Sequence, residues 1–145
     1  MVAPLRAFVR LGTIDKHLLV EVMLLLTLVR ASIVLLRFTT LRVVVSRYVR
    51  IFGTRTSERR VNPARVAWAV KAVTRRLPFR TSCLVEGVVA DAVLRRRGAA
   101  AVLRLGVRRP DRVPLEAHAW VECEGEVVIG GVDRLTDYAV LAPQS

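Results

Sequence analysis

Residues 80–98 read RTSCLVEGVVADAVLRRRG, a stretch that sets the fold of the chain. Ser82 is a residue type that caps helix N-termini, and Gly98 is a residue type that ends helices. The basic run 95–97 suits the end of a helix, where the dipole is negative. The stretch therefore predicts a helix that carries Cys83 in its first turn.

The sequence after Gly98 changes from helical to strand character. AAAVLRLGV at 99–107 is short and compatible with a strand, and LEAHAWVEC at 115–123 is typical of another. Glu124-Gly125 predicts a hairpin turn, which makes EVVIGGV at 126–132 the partner strand. The predicted order is helices first and then a small antiparallel sheet, which is an α+β fold.

A second helix is predicted just upstream, over residues 63–77. Asn62-Pro63 is typical of an N-cap followed by proline at the first helical position, and Pro78 ends the helix. Its apolar residues fall on one stripe, as expected of a helix with one buried side. The stripe consists of Val66, Ala69, Val70 and Val73.

The most apolar stretch is HLLVEVMLLLTLVRASIVLL at 17–36, which predicts a helix that starts near Thr13 or Asp15. Its 20 residues are long enough to span a membrane. Glu21 and Arg30 count against a span, because charges inside a bilayer are costly. A core helix is therefore favoured over a helix at a membrane surface, and a span comes last.

The chain divides at a polar loop. Segment 38–52 favours a helix, with a strand as the alternative, and GTRTSERR at 53–60 predicts the loop. The length of 145 residues suits one ordinary domain. We expect a helical N-terminal region over 1–60 and a core over 61–145.

The charge of the chain is strongly basic and uneven. Of 24 basic residues 22 are Arg, against 12 acidic residues, for a net charge of +12. Residues 1–60 carry 11 basic and 3 acidic residues, and residues 113–145 carry 1 and 6. Such a surface attracts anionic lipid, nucleic acid or acidic peptides, although a GC-rich genome also enriches Arg. The two cysteines do not make a disulfide framework and no signal peptide is recognisable, so a cytoplasmic location is expected.

Cys83 and His118 are the residues that predict chemistry. A cysteine in the first turn of a helix is where a thiolate is stabilised, although many cysteines are simply buried apolar residues. Period-2 geometry places His118 on the same strand face as Trp120 and Glu122. A Cys–His pair of this kind acts as nucleophile and general base in acyl transfer. A structural histidine is the alternative.

RTSCLVEGVVADAVLRRRG, LRLGV and HAWVECEGEVVIGG occur in this order, and residues 62–142 thereby resemble the lasso-peptide leader peptidases. The resemblance implies a transglutaminase-like (papain-like) core, with the cysteine helix packed on a small antiparallel sheet. It also implies a Cys–His–acid triad in which Cys83 attacks the scissile carbonyl of the leader and His118 transfers the proton. The backbone N–H of Cys83 is the expected oxyanion donor.

The third member of the triad departs from the family pattern. The family usually carries an Asp at the end of the strand after the His strand, where this chain reads Ile129-Gly130-Gly131. Asp133 is the nearest Asp and is the predicted acid. Glu126 is a weaker candidate, and a chain without an acid is the third option.

The resemblance implies three partners and no cofactor. The partners are a precursor peptide, a small leader-recognition protein of winged-helix type and an ATP-dependent macrolactam cyclase. No metal is expected, because Cys83, His118, Cys123 and His17 lack the paired spacing of zinc ligands. Contact with the inner membrane surface through residues 1–52 is an additional expectation.

Two other functions stay open at this point. An acyltransferase or transglutaminase shares the same core and the same acyl-enzyme. A non-catalytic basic protein that binds membrane or nucleic acid is the alternative from another class. Nucleic acid is not expected, because only 6% of residues are aromatic and they do not alternate with basic residues.

Overall fold

The structure is a computed structural model that describes residues 11–35, 43, 46–48, 50–51, 61–109, 111 and 114–141. Within this part of the chain the regular helices are α1 (Thr13–Leu35), α2 (Pro63–Thr74) and α3 (Cys83–Arg96). The predicted segment 38–52 lies largely outside the described residues. Those that are described in it, namely 43, 46–48, 50 and 51, are helical.

Both predicted N-caps are present. The Asn62 side chain accepts a hydrogen bond from the Ala64 backbone N–H at 2.9 Å, which starts α2. Ser82 Oγ accepts from the Val85 N–H at 3.4 Å, which starts α3. These bonds satisfy N–H groups that have no partner within the helix. Cys83 is therefore fixed as the first residue of α3.

The strands follow the helices and form one antiparallel sheet. They are β1 (Ala101–Arg108), β2 (Glu116–Cys123), β3 (Glu126–Ile129) and β4 (Ala139–Val140), in the spatial order β3-β2-β1-β4. Glu124 and Gly125 form the predicted turn between β2 and β3, with φ values of 53° and 86°. The α+β prediction is confirmed. The short strand β4 and the 3₁₀ turn Leu135–Asp137 before it were not predicted.

The hydrophobic core surrounds α3. This helix contacts α1, α2, β1, β2 and β3, so it lies between the other helices and the sheet. Its apolar residues are deeply buried, and Val89, Val93 and Leu94 are at most 1% exposed. Val66, Ala69, Val70 and Val73 of α2 are buried in the same core, as their stripe predicts.

Buried ion pairs join the basic end of α3 to α1. Glu21 lies 2.7 Å from Arg96 Nε and 2.7 Å from Arg97 Nη2. All three side chains are at least three-quarters buried, with 14–24% of each exposed. Removing one partner of such a pair leaves an uncompensated buried charge, which is costly. Arg96 and Arg97 therefore hold the two helices together, whereas Arg95 pairs with Asp91 of its own helix.

The outer side of α1 is apolar and exposed. Leu24, Val34 and Leu35 are 62%, 71% and 79% exposed, whereas Val22 and Leu26 on the inner side are fully buried. By length and composition α1 is apolar enough to cross a membrane, and 33% of its most apolar window is buried. Core helices of soluble proteins and signal sequences have the same length and apolar composition. The helix is therefore only weak evidence for a membrane span.

The two faces of β2 point to different surroundings. Gly87 of α3 lies against Ala119 and Val121, so the odd-numbered residues of β2 face the helices. His118 and Trp120 stack on the opposite face, with ring centroids 6.3 Å apart. This alternation follows from the period of two along a strand. It separates the packed face of the sheet from the face that carries His118.

Candidate active site

Cys83 lies half-buried at the N-terminal end of α3. The end of this helix is held by two side-chain bonds, the Ser82 cap and a 2.6 Å hydrogen bond that Thr81 Oγ1 donates to Glu86. The thiol makes no hydrogen bond to any residue that the structure describes, and it is not in a disulfide. N–H groups at a helix start favour negative charge nearby. Cys83 therefore lies at the position that the sequence predicts for a nucleophile, the first turn of a helix.

His118 is held by a backbone carbonyl. Its Nε2 lies 2.6 Å from the carbonyl oxygen of Gly130. A carbonyl oxygen can only accept, so Nε2 carries the proton in the neutral ring and Nδ1 keeps a lone pair. That lone pair can accept a proton from a thiol. The hydrogen bond thus selects the tautomer that a general base needs.

Gly130 lies in the stretch Ile129-Gly130-Gly131, where the resemblance implies an acid, and the structure explains why glycine fits there. Its φ is +77°, a conformation that other residues rarely adopt. A Cβ at this position would lie 2.5 Å from the Ala119 carbonyl oxygen and 2.9 Å from Trp120 Cα. Any side chain would push the 129–131 segment away from β2. The close approach brings the Gly130 carbonyl to His118.

Trp120 and Tyr138 surround the imidazole. The His118 ring lies 6.3 Å from the Trp120 ring at 18° and 5.6 Å from the Tyr138 ring at 44°. Trp120 and Tyr138 are 2% and 7% exposed, so they fix the imidazole with rigid partners. Gly106 leaves the room for both, because a Cβ there would lie 2.8 Å from each. The ring of His118 is thereby held in one orientation.

Trp120 is itself anchored by a polar chain. Its Nε1 donates to Glu122 Oε1 at 2.9 Å, and Arg104 Nε donates to Glu122 Oε2 at 3.1 Å. The hydrogen bond from Trp120 and the pairing with Arg104 hold the pKa of Glu122 below its ordinary value. His118, Trp120 and Glu122 lie on one face of β2, as the sequence predicts. The Trp120 and His118 rings on this face are each oriented by a hydrogen bond.

Tyr138 is the site residue that sequence reasoning missed. Strand β4 follows it directly and pairs with Gly106 and Val107 of β1, which carries Tyr138 to the His118 ring. Burial raises the pKa of Tyr138 most, the nearby Glu116 carboxylate raises it further, and proximity to Cys83 adds a smaller effect. Tyr138 is thus within electrostatic range of Cys83 and in contact with His118. A Tyr before a short apolar run was the only signal in the sequence.

The predicted acids do not contact the ring in the described part of the chain. Asp133 is an exposed residue of the turn after Gly131, and Glu126 is exposed at the start of β3, paired with Cys123. Among the described residues, the His118 ring hydrogen-bonds to the Gly130 carbonyl. The assignment of Asp133 to a triad stays a prediction, and a carbonyl fills the place at Nε2.

Cys123 belongs to the packed face rather than to this site. It is 3% exposed and lies on the side of β2 that carries Val121. Burial raises the pKa of its thiol, which keeps it protonated. No group of three or more His, Cys, Asp or Glu side chains among the described residues is arranged to hold a metal ion. The structure thus separates the two cysteines that the sequence presents together.

The structure places Cys83 at the start of α3 and His118 on β2, the strand against which α3 packs. The family model of the transglutaminase-like superfamily matches residues 25–143. The chain therefore belongs to the transglutaminase-like superfamily, which has a core of cysteine-peptidase and acyltransferase type. Searches of curated proteins and of solved structures find no match to this chain.

Proposed function

We propose that this protein is a cysteine peptidase that removes the leader from a lasso-peptide precursor. The observation that carries the chemistry is the 2.6 Å hydrogen bond between His118 Nε2 and the Gly130 carbonyl, since it leaves Nδ1 as a base. Membership of the transglutaminase-like superfamily supports Cys83 as the nucleophile. The resemblance of residues 62–142 to leader peptidases supports the choice of substrate.

The reaction proceeds through a thioester. The Cys83 proton moves to His118 Nδ1, and the sulfur attacks the scissile carbonyl carbon, whose oxygen takes up the negative charge. The imidazolium then gives its proton to the leaving amine as the C–N bond breaks. Water attacks the thioester, gives a proton back to His118, and releases the leader with a free carboxylate. The thiolate leaves and is reprotonated, which restores the starting state.

The oxyanion needs donors that point to the carbonyl oxygen. We assign one of them to the backbone N–H of Cys83, at the start of α3 where N–H groups have no partner within the helix. The dipole of α3 favours negative charge at the same place. The helix start thus serves both the thiolate and the tetrahedral intermediate.

The proposed partners follow from the substrate. A precursor peptide is cut, a small winged-helix leader-recognition protein presents it, and an ATP-dependent cyclase closes the macrolactam ring. We place this assembly in the cytoplasm, with contact to the inner membrane surface through residues 1–52. The exposed apolar side of α1 and the 11 basic residues among residues 1–60 support the membrane contact.

The test uses the precursor encoded beside the gene, together with the leader-recognition protein and the cyclase. Mass spectrometry of the mixture should show free leader with the wild-type protein and none above background with Cys83→Ala. Cys123→Ala is the matched control, and we expect it to keep most of the activity. Activity that depends on Cys123 and not on Cys83 would overturn the site.

The same spectra distinguish hydrolysis from acyl transfer. A primary amine such as glycine ethyl ester, added in excess, competes with water for the thioester. A peptidase releases the leader mainly as the carboxylate, whereas an acyltransferase that acts on the same peptide bond releases it mainly as the amide of the added amine. Predominant amide at modest amine concentration would overturn the peptidase proposal and leave the Cys83–His118 site intact.

A further inference from the structure

A carboxylate lies on the His118 face of β2 that the reaction described above does not use. Glu116 is two residues before His118, and alternate residues of a strand point to the same side. Arg108 is directly opposite Glu116 in the β1–β2 pairing and donates from Nε to its carboxylate at 2.7 Å. Glu116 is therefore held in place, although 46% of its side chain is exposed.

Tyr138 connects this ion pair to the imidazole. Its ring lies 5.6 Å from the His118 ring, and the Arg108 guanidinium lies 4.9 Å above the same Tyr138 ring. Arg108 thus contacts both the Glu116 carboxylate and the Tyr138 ring. The contacts thus run from Glu116 of β2 through Arg108 of β1 to Tyr138 before β4, and from Tyr138 to His118.

Charge on His118 and charge on Glu116 influence each other. The hydrogen bond from Arg108 lowers the pKa of Glu116 most, the Tyr138 hydroxyl lowers it further, and positive charge on His118 acts in the same direction. A negative charge near the imidazolium is what a triad acid contributes.

We propose that Glu116, held by Arg108 beside Tyr138, is a positioning residue that stabilises the His118 imidazolium in place of a strand-end acid, where this chain reads Ile129-Gly130-Gly131. The inference rests on the Cys83–His118 pair of the proposed function. When the thiol S–H bond breaks and the N–H bond forms at Nδ1, a thiolate and an imidazolium result. Glu116 stays ionised throughout and takes no proton.

Alkylation of Cys83 by iodoacetamide measures this step without any peptide substrate, because the thiolate is the reacting form. The labelled peptide identifies Cys83 separately from the buried Cys123. At low salt Glu116→Gln should slow alkylation about two- to fivefold, the size of a partly exposed charge interaction. The difference should shrink at high salt, since salt screens exposed charges.

Two matched variants separate electrostatics from structure. Glu126→Gln removes the same charge at the hairpin end of the sheet and should leave the rate unchanged. Arg108→Gln frees the Glu116 charge from its counter-ion, so alkylation should stay equal or become faster. If the ion pair were only structural, Glu116→Gln and Arg108→Gln would both slow the reaction. Equal slowing by both, or no change in Glu116→Gln, overturns the proposal.

His118→Gln distinguishes a failure of the Cys83–His118 pair from a failure of the role of Glu116. It should slow alkylation roughly tenfold or more, because an unassisted thiol is only a few per cent ionised near pH 7. If His118→Gln is slow and Glu116→Gln matches the wild type, the Cys83–His118 pair stands and the role of Glu116 is overturned. If His118→Gln matches the wild type, the pair itself is overturned and the role of Glu116 with it. Thermal unfolding of each variant, expected within a few degrees of the wild type, checks that the fold is retained.

Discussion

The two faces of β2 make different kinds of contact, apolar packing on one and hydrogen bonds on the other. Ala119, Val121 and Cys123 face the helices, are 0–3% exposed and make apolar contacts. His118 and Trp120 face the other way, and each has a defined polar partner, the Gly130 carbonyl and Glu122. Burial on the first face is non-directional, whereas hydrogen bonds on the second have required distances and angles.

This difference shows that β2 has separate roles for its two faces, because its side chains alternate between them. One face contributes to stability and the other to chemistry. The apolar face fixes where β2 lies relative to α3 and thus relative to Cys83. The polar face decides which way the imidazole points. Substitutions on the two faces should therefore change different measured quantities, the free energy of unfolding on one and the reaction rate on the other.

Gly130→Ala should have the largest effect of these variants, because Gly130 both holds His118 and packs closely against the backbone of β2. Its carbonyl holds His118, and its missing Cβ lets the chain approach the Ala119 carbonyl. We expect a loss of roughly 2–4 kcal/mol in unfolding free energy from the left-handed backbone and the clash. Leader cleavage should fall by about 10- to 100-fold as the imidazole is misplaced. Chemical denaturation and single-turnover kinetics measure the two effects.

Gly131→Ala is the control for this variant. A Cβ at Gly131 meets only Val127 Cγ1, at an ordinary distance of 3.7 Å, and its φ is not in the left-handed range. Its stability and activity should stay close to those of the wild type. Similar losses in both alanine variants would contradict the role of the Gly130 carbonyl.

Val121→Ala tests the packed face on its own. Val121 is fully buried, so removing two methyl groups should lower the unfolding free energy by about 1.5–3 kcal/mol. The cleavage rate measured well below the unfolding temperature should change by no more than about twofold. Val127→Ala, at a site that is 40% exposed, is the control and should be nearly neutral. A tenfold loss of rate in Val121→Ala would break the separation of the two faces.

Asp91 is an exception inside the packed layer, and it predicts a pH effect. It is 6% exposed, its Oδ1 has no partner among the described residues, and burial raises its pKa to about 6 from an ordinary 3.8. The folded state therefore binds the proton more tightly than the unfolded state. The stabilisation from protonated Asp91 is full below about pH 4 and is lost as pH rises through about 6.

Asp91→Asn should remove this pH dependence. At pH 7 we expect the variant to be more stable than the wild type by on the order of 1–3 kcal/mol, with the advantage vanishing near pH 4. Urea denaturation at several pH values measures it. Asp111→Asn, in an exposed turn, should show no such trend. A variant that is less stable at pH 7 would mean that the ion pair with Arg95 outweighs the burial of the carboxylate.

The parts of the molecule that the sequence predicted are those with local signals. Ser82 and Asn62 are caps whose hydrogen bonds form within three residues, and Glu124-Gly125 is a turn whose backbone conformation its residue types favour. The alternation in β2 likewise follows from a period of two. These features need no knowledge of distant contacts.

The parts that the sequence did not predict depend on long-range pairing. Strand β4 has two residues, too few for a periodic pattern, and it exists because Ala139 and Val140 pair with β1. The Arg108–Glu116 pair depends on the register of β1 against β2. The partner of His118 is a backbone carbonyl, and every residue has one, so no residue type marks it. A sequence pattern can point to acidic side chains, whereas the hydrogen bond of His118 goes to the main chain.

Asp133→Asn should have the smallest effect, and it decides between a triad and a pair. If Asp133 were the triad acid, the amide would present the wrong hydrogen-bonding partner and turnover would fall by roughly 10² to 10⁴. Asp133 is exposed, and the carbonyl of Gly130 occupies Nε2. An exposed charge without a direct contact contributes little, so we expect a change of no more than about twofold. Leader cleavage followed by mass spectrometry, with Glu126→Gln alongside, measures it. A hundredfold loss in Asp133→Asn alone would show that the 131–134 turn closes on His118 during the reaction, and the polar face of β2 would then extend beyond the sheet.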